Sequence, residues 1–307
     1  MDNSLDLFAP LSKKQRALLE KKEPITPSNS FLKETWINLK KNSWAIFGLI
    51  SLATLIIFSL FGPLLSTYTY DEIRLSLKNE PPTRSFWFGT DELGRDLFIR
   101  CCWGTRISLF VGFTASLIDL VIGVFYGGIA GLYGGKKDEW MMRIADILYS
   151  IPYLMVVILL MVFLGQGLLT IILALTFTGW INMARIVRSQ VLQTKHLDFI
   201  LAAYAIGASQ KRILLYHLIP NAIGPIIVTL TLTVPSAIFT EAFLSFLGLG
   251  VQAPIASLGT MANDGLPALR YFPWRLFFPA CLVSWIILSF NILGDGLRDA
   301  LDPRFKK

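Results

Sequence analysis

Residues 44–65 read WAIFGLISLATLIIFSLFGPLL. No charged side chain interrupts the run, and Gly62-Pro63 closes it. At 1.5 Å per residue a helix of this length extends about 33 Å, which matches a bilayer core of roughly 30 Å. The stretch is therefore read as a membrane span. The rest of the chain has the same character. Of its 307 residues 54% are hydrophobic and only 16% charged, where a soluble domain carries roughly 25% charged residues, and the mean hydropathy is +0.57. A chain this apolar has too few polar groups to cover its surface in water.

Working outward, further apolar runs predict helices over Ser108–Tyr133, Leu148–Leu164, Leu168–Ile186, Asn221–Leu249 and Leu276–Gly294. The expected fold class is an all-α integral membrane protein of about six transmembrane helices. Residues 1–43 are polar and basic, with no apolar stretch near Met1, so they do not read as a signal peptide. They are expected to be partly disordered and partly an interfacial helix, with Trp36 and Trp44 at the headgroups. The organisation that follows is a cytoplasmic segment 1–43, a first span 44–65, an extracytoplasmic loop 66–103, a membrane core 104–296 and a cytoplasmic tail 297–307. Residues 134–139, GGKKDE, are expected to form a charged turn.

Charge sets the orientation. With the N-terminus inside, the inner segments hold most of the 28 Lys and Arg residues: eight before the first span, three in Lys136–Arg143, five in Arg185–Arg212 and four in the tail. The outer segments hold six, with six acids among them, and then Arg270 and Arg275. An even number of spans with both termini cytoplasmic satisfies the positive-inside rule. That rule also accounts for the net charge of +7 without nucleic acid as a partner.

Other chemistry is poorly supported. Cys101, Cys102 and Cys281 are an odd set with two adjacent members, which is not a disulfide framework. His196 and His217, without a Cys-x-x-Cys spacing, make no zinc site, so no metal and no cofactor are expected. Gly135-Lys136 is not a Walker A loop, because Ala130 stands where the first glycine belongs and Lys137 follows. No catalytic residue is identified. Two acids fall inside predicted spans, Asp119 and Glu241. An intramembrane carboxylate costs roughly 2.5–3.5 kcal/mol on insertion scales, so each is expected to face a pathway or gate, or to lock helix packing. Gly127 and Gly131 have the spacing that favours close helix contact, within the chain or with a partner. Arg185 and Arg188 are expected to anchor at the headgroups.

One inner segment is too polar to span and too apolar for a plain loop: Leu197–Asn221, LDFILAAYAIGASQKRILLYHLIPN. Its spacing predicts a helix over 198–206, a break at Gly207, a second short helix over 209–218 and a reset at Pro220-Asn221. A small-residue face beside a glycine turn suits insertion into a cleft on a partner.

This segment resembles the cytoplasmic signature of bacterial binding-protein-dependent ABC importers, which runs Glu-Ala-Ala, three residues, Gly, nine residues, Ile-x-Leu-Pro. Ala202, Ala203, Gly207 and Pro220 match at the right spacing, whereas Leu201, His217 and Ile219 depart. The peptide-importer form, with Ala-Ala-x3-Gly-Ala-Ser and His-x-x-Pro-Asn, is reproduced by Ala202–Ser209 and His217–Asn221. Phe88–Asp96, Gly134–Asp146, Glu241–Gly250 and Leu293–Arg304 resemble further family segments in the same order. Ser257-Leu258-Gly259 stands where members often show Ser-Trp-Gly.

The resemblance implies a type I ABC importer permease fold. It points to the second permease subunit of dipeptide, oligopeptide or nickel importers, a multi-pass protein of the bacterial plasma membrane. It implies a sister permease, one or two ABC ATPase subunits and an extracytoplasmic substrate-binding protein as partners, with membrane lipid around the spans. Residues 197–220 would be the coupling segment, with Asp198, Ala202, Ala203, Gly207, Ala208, Ser209, His217 and Pro220 at the ATPase contact.

Overall fold

The computed structural model describes residues 31–252 and 254–301, and side chains from Thr35 onward within the first helix. The expectations for residues 1–30 and 302–307 lie outside the described residues. Helix α1 (Phe31–Lys41) leads into α2 (Ser43–Phe61), whose start is fixed by Asn42: its Oδ1 accepts from the backbone N–H of Trp44 at 3.0 Å and of Ala45 at 3.3 Å. Such a cap satisfies two of the four orphan donors of a helix start. At Gly62-Pro63 the helix tightens into a 3₁₀ turn, Gly62–Leu65.

Residues 66–96 are held together by polar contacts. Asp91 pairs with Arg95 at 2.7 Å and Arg100 at 3.4 Å, and Arg275 reaches Glu92 at 3.0 Å. Helix α3 then starts at Leu97 and runs to Tyr133, capped by the Asp96 carboxylate on the Phe98 N–H at 2.9 Å. Sequence reading starts this helix only at Ser108, because Arg100 and Arg106 interrupt the apolar run. Tertiary contacts overrule that. Arg100 is buried against Asp91, while Arg106 donates to the Ser59 carbonyl at 2.8 Å and lies over the Trp103 ring.

Helix α4 (Gly135–Ser150) occupies the residues expected to form a charged turn and an inner loop, and α5 (Tyr153–Leu164) follows it at an 80° bend. Ile151 is extended and Pro152 precedes the first residue of α5, as the steric clash of proline with the preceding backbone requires. The single span expected over Leu148–Leu164 is thus a broken pair. Asp138 of α4 accepts from Arg188 at 2.7 Å, and Asp146 from Arg185 at 2.8 Å. The two arginines therefore clamp α4 to the next helix.

That helix is α6 (Leu168–Thr194), and it makes the most extensive contact in the molecule with α3. A Cβ on Gly123, Gly127 or Gly131 would run into Met183, the Ala184 backbone or Val191. The Gly-x-x-x-Gly pair therefore serves a seam within the chain, where small residues let two backbones meet. Lys195 donates to the Gly131 carbonyl at 3.0 Å, closing the end of the seam next to the 197–222 segment.

After the segment 197–222, helix α10 (Ile223–Phe246) packs on α3 and α12, the short α11 (Leu258–Gly265) packs on α10 and α12, and α12 (Trp274–Leu301) returns along α2. Ser51 and Ser289 share a hydrogen bond of 2.6 Å across α2 and α12. Five helices are long and apolar enough to cross a membrane, and the bent α4–α5 pair is a sixth if counted as one span. No strand occurs among the described residues.

Candidate functional site

The segment between α6 and α10 folds as α7 (Asp198–Ala205), α8 (Gln210–Ile213), a π-turn (Leu214–Leu218) and α9 (Ile219–Asn221). Ile200 and Ala203 point inward and pack with Val187, Val191, Ile213, Leu214 and Leu218. This apolar anchor holds α7 to the C-terminal halves of α3 and α6. The end of α7 is set by Gly207 at φ +84°, a left-handed position that glycine enters without a Cβ clash. Ala208 N–H donates to the Ala203 carbonyl at 3.0 Å and Gly207 N–H to the Tyr204 carbonyl at 2.9 Å. These two bonds are the Schellman pattern. Ser209 caps α8 by accepting from the Arg212 N–H at 3.3 Å.

Burial divides the residues singled out from the sequence. Asp198, Ala202, Gly207, Ser209 and Pro220 are exposed, His217 and Ala208 are half-buried, and Ala203 is buried. The structure thus brings Ala202 and Gly207 to one outward tip and uses Ala203 and Ala208 as internal packing. Sequence reasoning missed the residues that dominate that tip. Ile206 is 86% exposed, and Leu197, Phe199, Leu201 and Tyr204 are exposed beside it. Tyr216 stands clear of the surface next to Lys211 and Arg212. The available signal was the apolar excess of 197–206 itself: Ile200 satisfies the inner face, and the remaining large side chains have nowhere inside to go.

Pro220 does not break the chain. The Ile219 N–H reaches back to the Leu214 carbonyl, a five-residue step that admits one extra residue per turn. Helical backbone continues with little interruption into α10, and the Asn221 side chain donates to the His217 carbonyl at 2.6 Å.

The two intramembrane acids occupy different surroundings. Glu241 is 0% exposed. Its carboxylate accepts from Ser108 Oγ at 2.9 Å and Ser245 Oγ at 2.8 Å, and Ser257 Oγ donates to Ser245 at 3.2 Å. This node ties α3, α10 and the start of α11 together. Asp119 is 3% exposed and borders a cavity of about 430 Å³ between α3, α5, α6 and α10. Tyr153, Thr178, Thr229, Thr233 and Ser236 line the same space.

Residues 123–307 match the family described as "Binding-protein-dependent transport system inner membrane component". The chain belongs to this permease family. Residues 30–82 also match the N-terminal transmembrane domain of oligopeptide transport permease C. The oligopeptide transport system permease protein OppC of Bacillus subtilis is 56% identical over 280 residues, covering 91% of this chain and 92% of the relative. The dipeptide transport system permease protein DppC of the same organism is 56% identical over 282 residues, covering 92% and 88%. OppC of Escherichia coli is 42% identical over 265 residues, covering 86% and 88%. Among solved structures, the inward-facing MetNI methionine ABC transporter aligns with a TM-score of 0.55 at 21% identity, covering 65% of this chain and 94% of that one. That likeness concerns the fold. The family resemblance drawn from the sequence is borne out, and the protein is a multi-pass membrane permease.

Proposed function

We propose that this permease is one of a pair of membrane subunits in an ATP-driven importer, and that it passes peptides delivered by an extracytoplasmic binding protein. The names of its relatives support the cargo, since the two most similar of those above are oligopeptide and dipeptide permeases. Both termini face the cytoplasm, a reading supported by the excess of Lys and Arg in the inner segments.

The observation that carries the mechanism is the exposed apolar tip of residues 197–207 over a buried anchor. A contiguous apolar surface on a protein marks a place of contact, and this one stands away from the spans at the inner end of α6. Residues 197–220 dock an ATPase there. Asp198, Ser209 and His217 frame the contact, and Ala202 and Gly207 allow close approach. Nucleotide binding closes the ATPase pair, and the docked element carries that motion to the spans as a rigid body.

The test is a pull-down of the tagged chain from gently solubilised membranes of its host. The wild type should retain a second permease and one or two ATPases. Ile206→Glu, which puts a charge on a side chain 86% exposed, and Gly207→Glu, which in addition strains the left-handed turn that ends α7, should release the ATPases while keeping the sister permease. ATPases that stay bound to both variants would reject the docking site. A wild type that purifies alone in several mild detergents would reject the importer reading.

A further inference from the structure

The Asp119 cavity is chemically one-sided. Oδ1 of Asp119 is buried without a hydrogen-bond partner. On its other side the carboxylate lies against Gly179, where any Cβ would collide with it. The bundle has thus made room for this carboxylate without giving it a donor.

The hydroxyls around it face the same way. Thr229 donates to the Pro225 carbonyl, Thr233 to the Thr229 carbonyl and Thr240 to the Ser236 carbonyl, each at 2.8 Å. A hydroxyl that has given its one proton to its own helix offers only lone pairs to the cavity. Tyr153 Oη is buried and has no partner either. Among the described residues no Lys, Arg or His lines the space. The cavity therefore sets one unpaired carboxylate beside three hydroxyls that have only lone pairs to offer and four groups, Tyr153, Thr178, Asn182 and Ser236, that can donate or accept, with no cation among them, in a place where an unpaired charge is costly.

Resting on the peptide-import reading above, we propose that this cavity is the pathway subsite for the protonated amino terminus of the transported peptide, with Asp119 as its counter-ion. A primary ammonium has three donors and no acceptor. One N–H meets the Asp119 carboxylate, and the other two meet threonine or tyrosine oxygens. A divalent metal fits less well, because no group of three His, Cys, Asp or Glu side chains occurs among the described residues, and such ions require several strong ligands. At about 430 Å³ the space takes one end of a peptide. A carboxylate end would meet repulsion from Asp119 and find no donor but the Tyr153 hydroxyl and the small polar groups of Thr178, Asn182 and Ser236.

The test uses the complete complex, with sister permease, ATPases and binding protein, in liposomes. Uptake of trialanine and of N-acetyl-trialanine is measured per assembled complex, with each peptide's loading on the binding protein measured separately. At equal loading the wild type should move the free-amine peptide on the order of tenfold faster or more, as when one partner of a buried charge pair is removed. Asp119→Asn should bring the two rates together by slowing the free-amine peptide. Equal rates in the wild type, or equal slowing of both peptides by Asp119→Asn, would overturn the proposal.

A second measurement does not depend on cargo. With Cys281→Ser removing the exposed native thiol and Ser236→Cys placing one in the cavity, a 2-aminoethyl methanethiosulfonate should react about tenfold faster than its 2-sulfonatoethyl counterpart, each rate being taken relative to that with free cysteine. That preference should vanish with Asp119→Asn. Equal rates with Asp119 present would overturn the proposal even where uptake fails. No uptake of either peptide alongside a clear cation preference would reject the peptide cargo instead, and the proposed ligand with it.

Discussion

Glu241 and Asp119 are both carboxylates inside one helical bundle, and their surroundings differ in every respect but burial. Glu241 sits where three helices meet and receives a proton donor on each oxygen. Asp119 sits at the edge of a hollow and leaves one oxygen unpaired, with a glycine opposite to give it room. Burial alone does not separate a packing residue from a functional one. The informative quantity is whether the buried group is satisfied by its own chain. Satisfied, it fixes geometry; unsatisfied in a shaped cavity, it is held ready for something that arrives.

The largest expected effect breaks the comparison on the Glu241 side. Glu241→Ala strips the acceptors from Ser108 and Ser245 and leaves a void among α3, α10 and α11. A loss of about 3 kcal/mol is expected from an unmade buried network plus a cavity, read as a drop in the melting temperature of the purified complex or as failure to assemble. Asp119→Asn should cost far less in the same assay, since it removes no bond made within the chain. Equal losses for the two would erase the distinction drawn above.

A smaller effect sharpens the Asp119 side. Gly179→Ala drives a methyl group into the carboxylate, and overpacking of this kind costs about 1–3 kcal/mol. If the glycine exists to house Asp119, then Asp119→Ala in the same chain should recover most of that loss. A double-mutant cycle with no coupling energy would show that the two positions are independent.

The smallest effect concerns a third buried carboxylate, at the N-terminus of α3. Asp96 caps α3 and also accepts from Ser66 at 3.3 Å. Burial holds its carboxyl above the ordinary value despite those bonds. A raised value in the folded state favours the protonated form there. The corresponding stability is complete below the ordinary carboxylate range near 4 and fades as pH rises through the raised value. The wild type should therefore gain stability relative to Asp96→Asn as pH falls from 7 toward 4, with the cap preserved because asparagine caps equally well. A pH-independent difference between the two would remove Asp96 from the comparison.

Much of this architecture was readable in the chain, and the exceptions share a cause. The spans α2, α6, α10 and α12 follow from apolar runs because lipid demands nothing more specific of them. The glycine turn at 207 was legible because only a few residues enter that backbone region. Three features were not. The first third of α3 was hidden because Arg100 and Arg106 read as loop until Asp91 and the Ser59 carbonyl are brought beside them. The 80° break at Pro152 was visible only as a proline near a helix start, and the length of α4 depended on Asp138 finding Arg188, far along the chain. Likewise Asp119 and Glu241 looked alike in sequence because the partners that distinguish them come from three other helices.

The π-turn at Leu214–Leu218 has a mechanical consequence. By absorbing Pro220, it joins α8 to α10 through nearly continuous helical backbone, and Ile213, Leu214 and Leu218 of that stretch pack against Ile200 and Ala203 of α7. The glycine seam between α3 and α6 is too closely fitted to yield, so it is the natural fulcrum. In the docking proposed above, torque at Ile206 passes through this packed stretch to α10, on which Thr229, Thr233 and Thr240 form one wall of the cavity. A small rotation below swings that wall toward or away from Asp119, and the grip on whatever lies between them tightens or slackens with it.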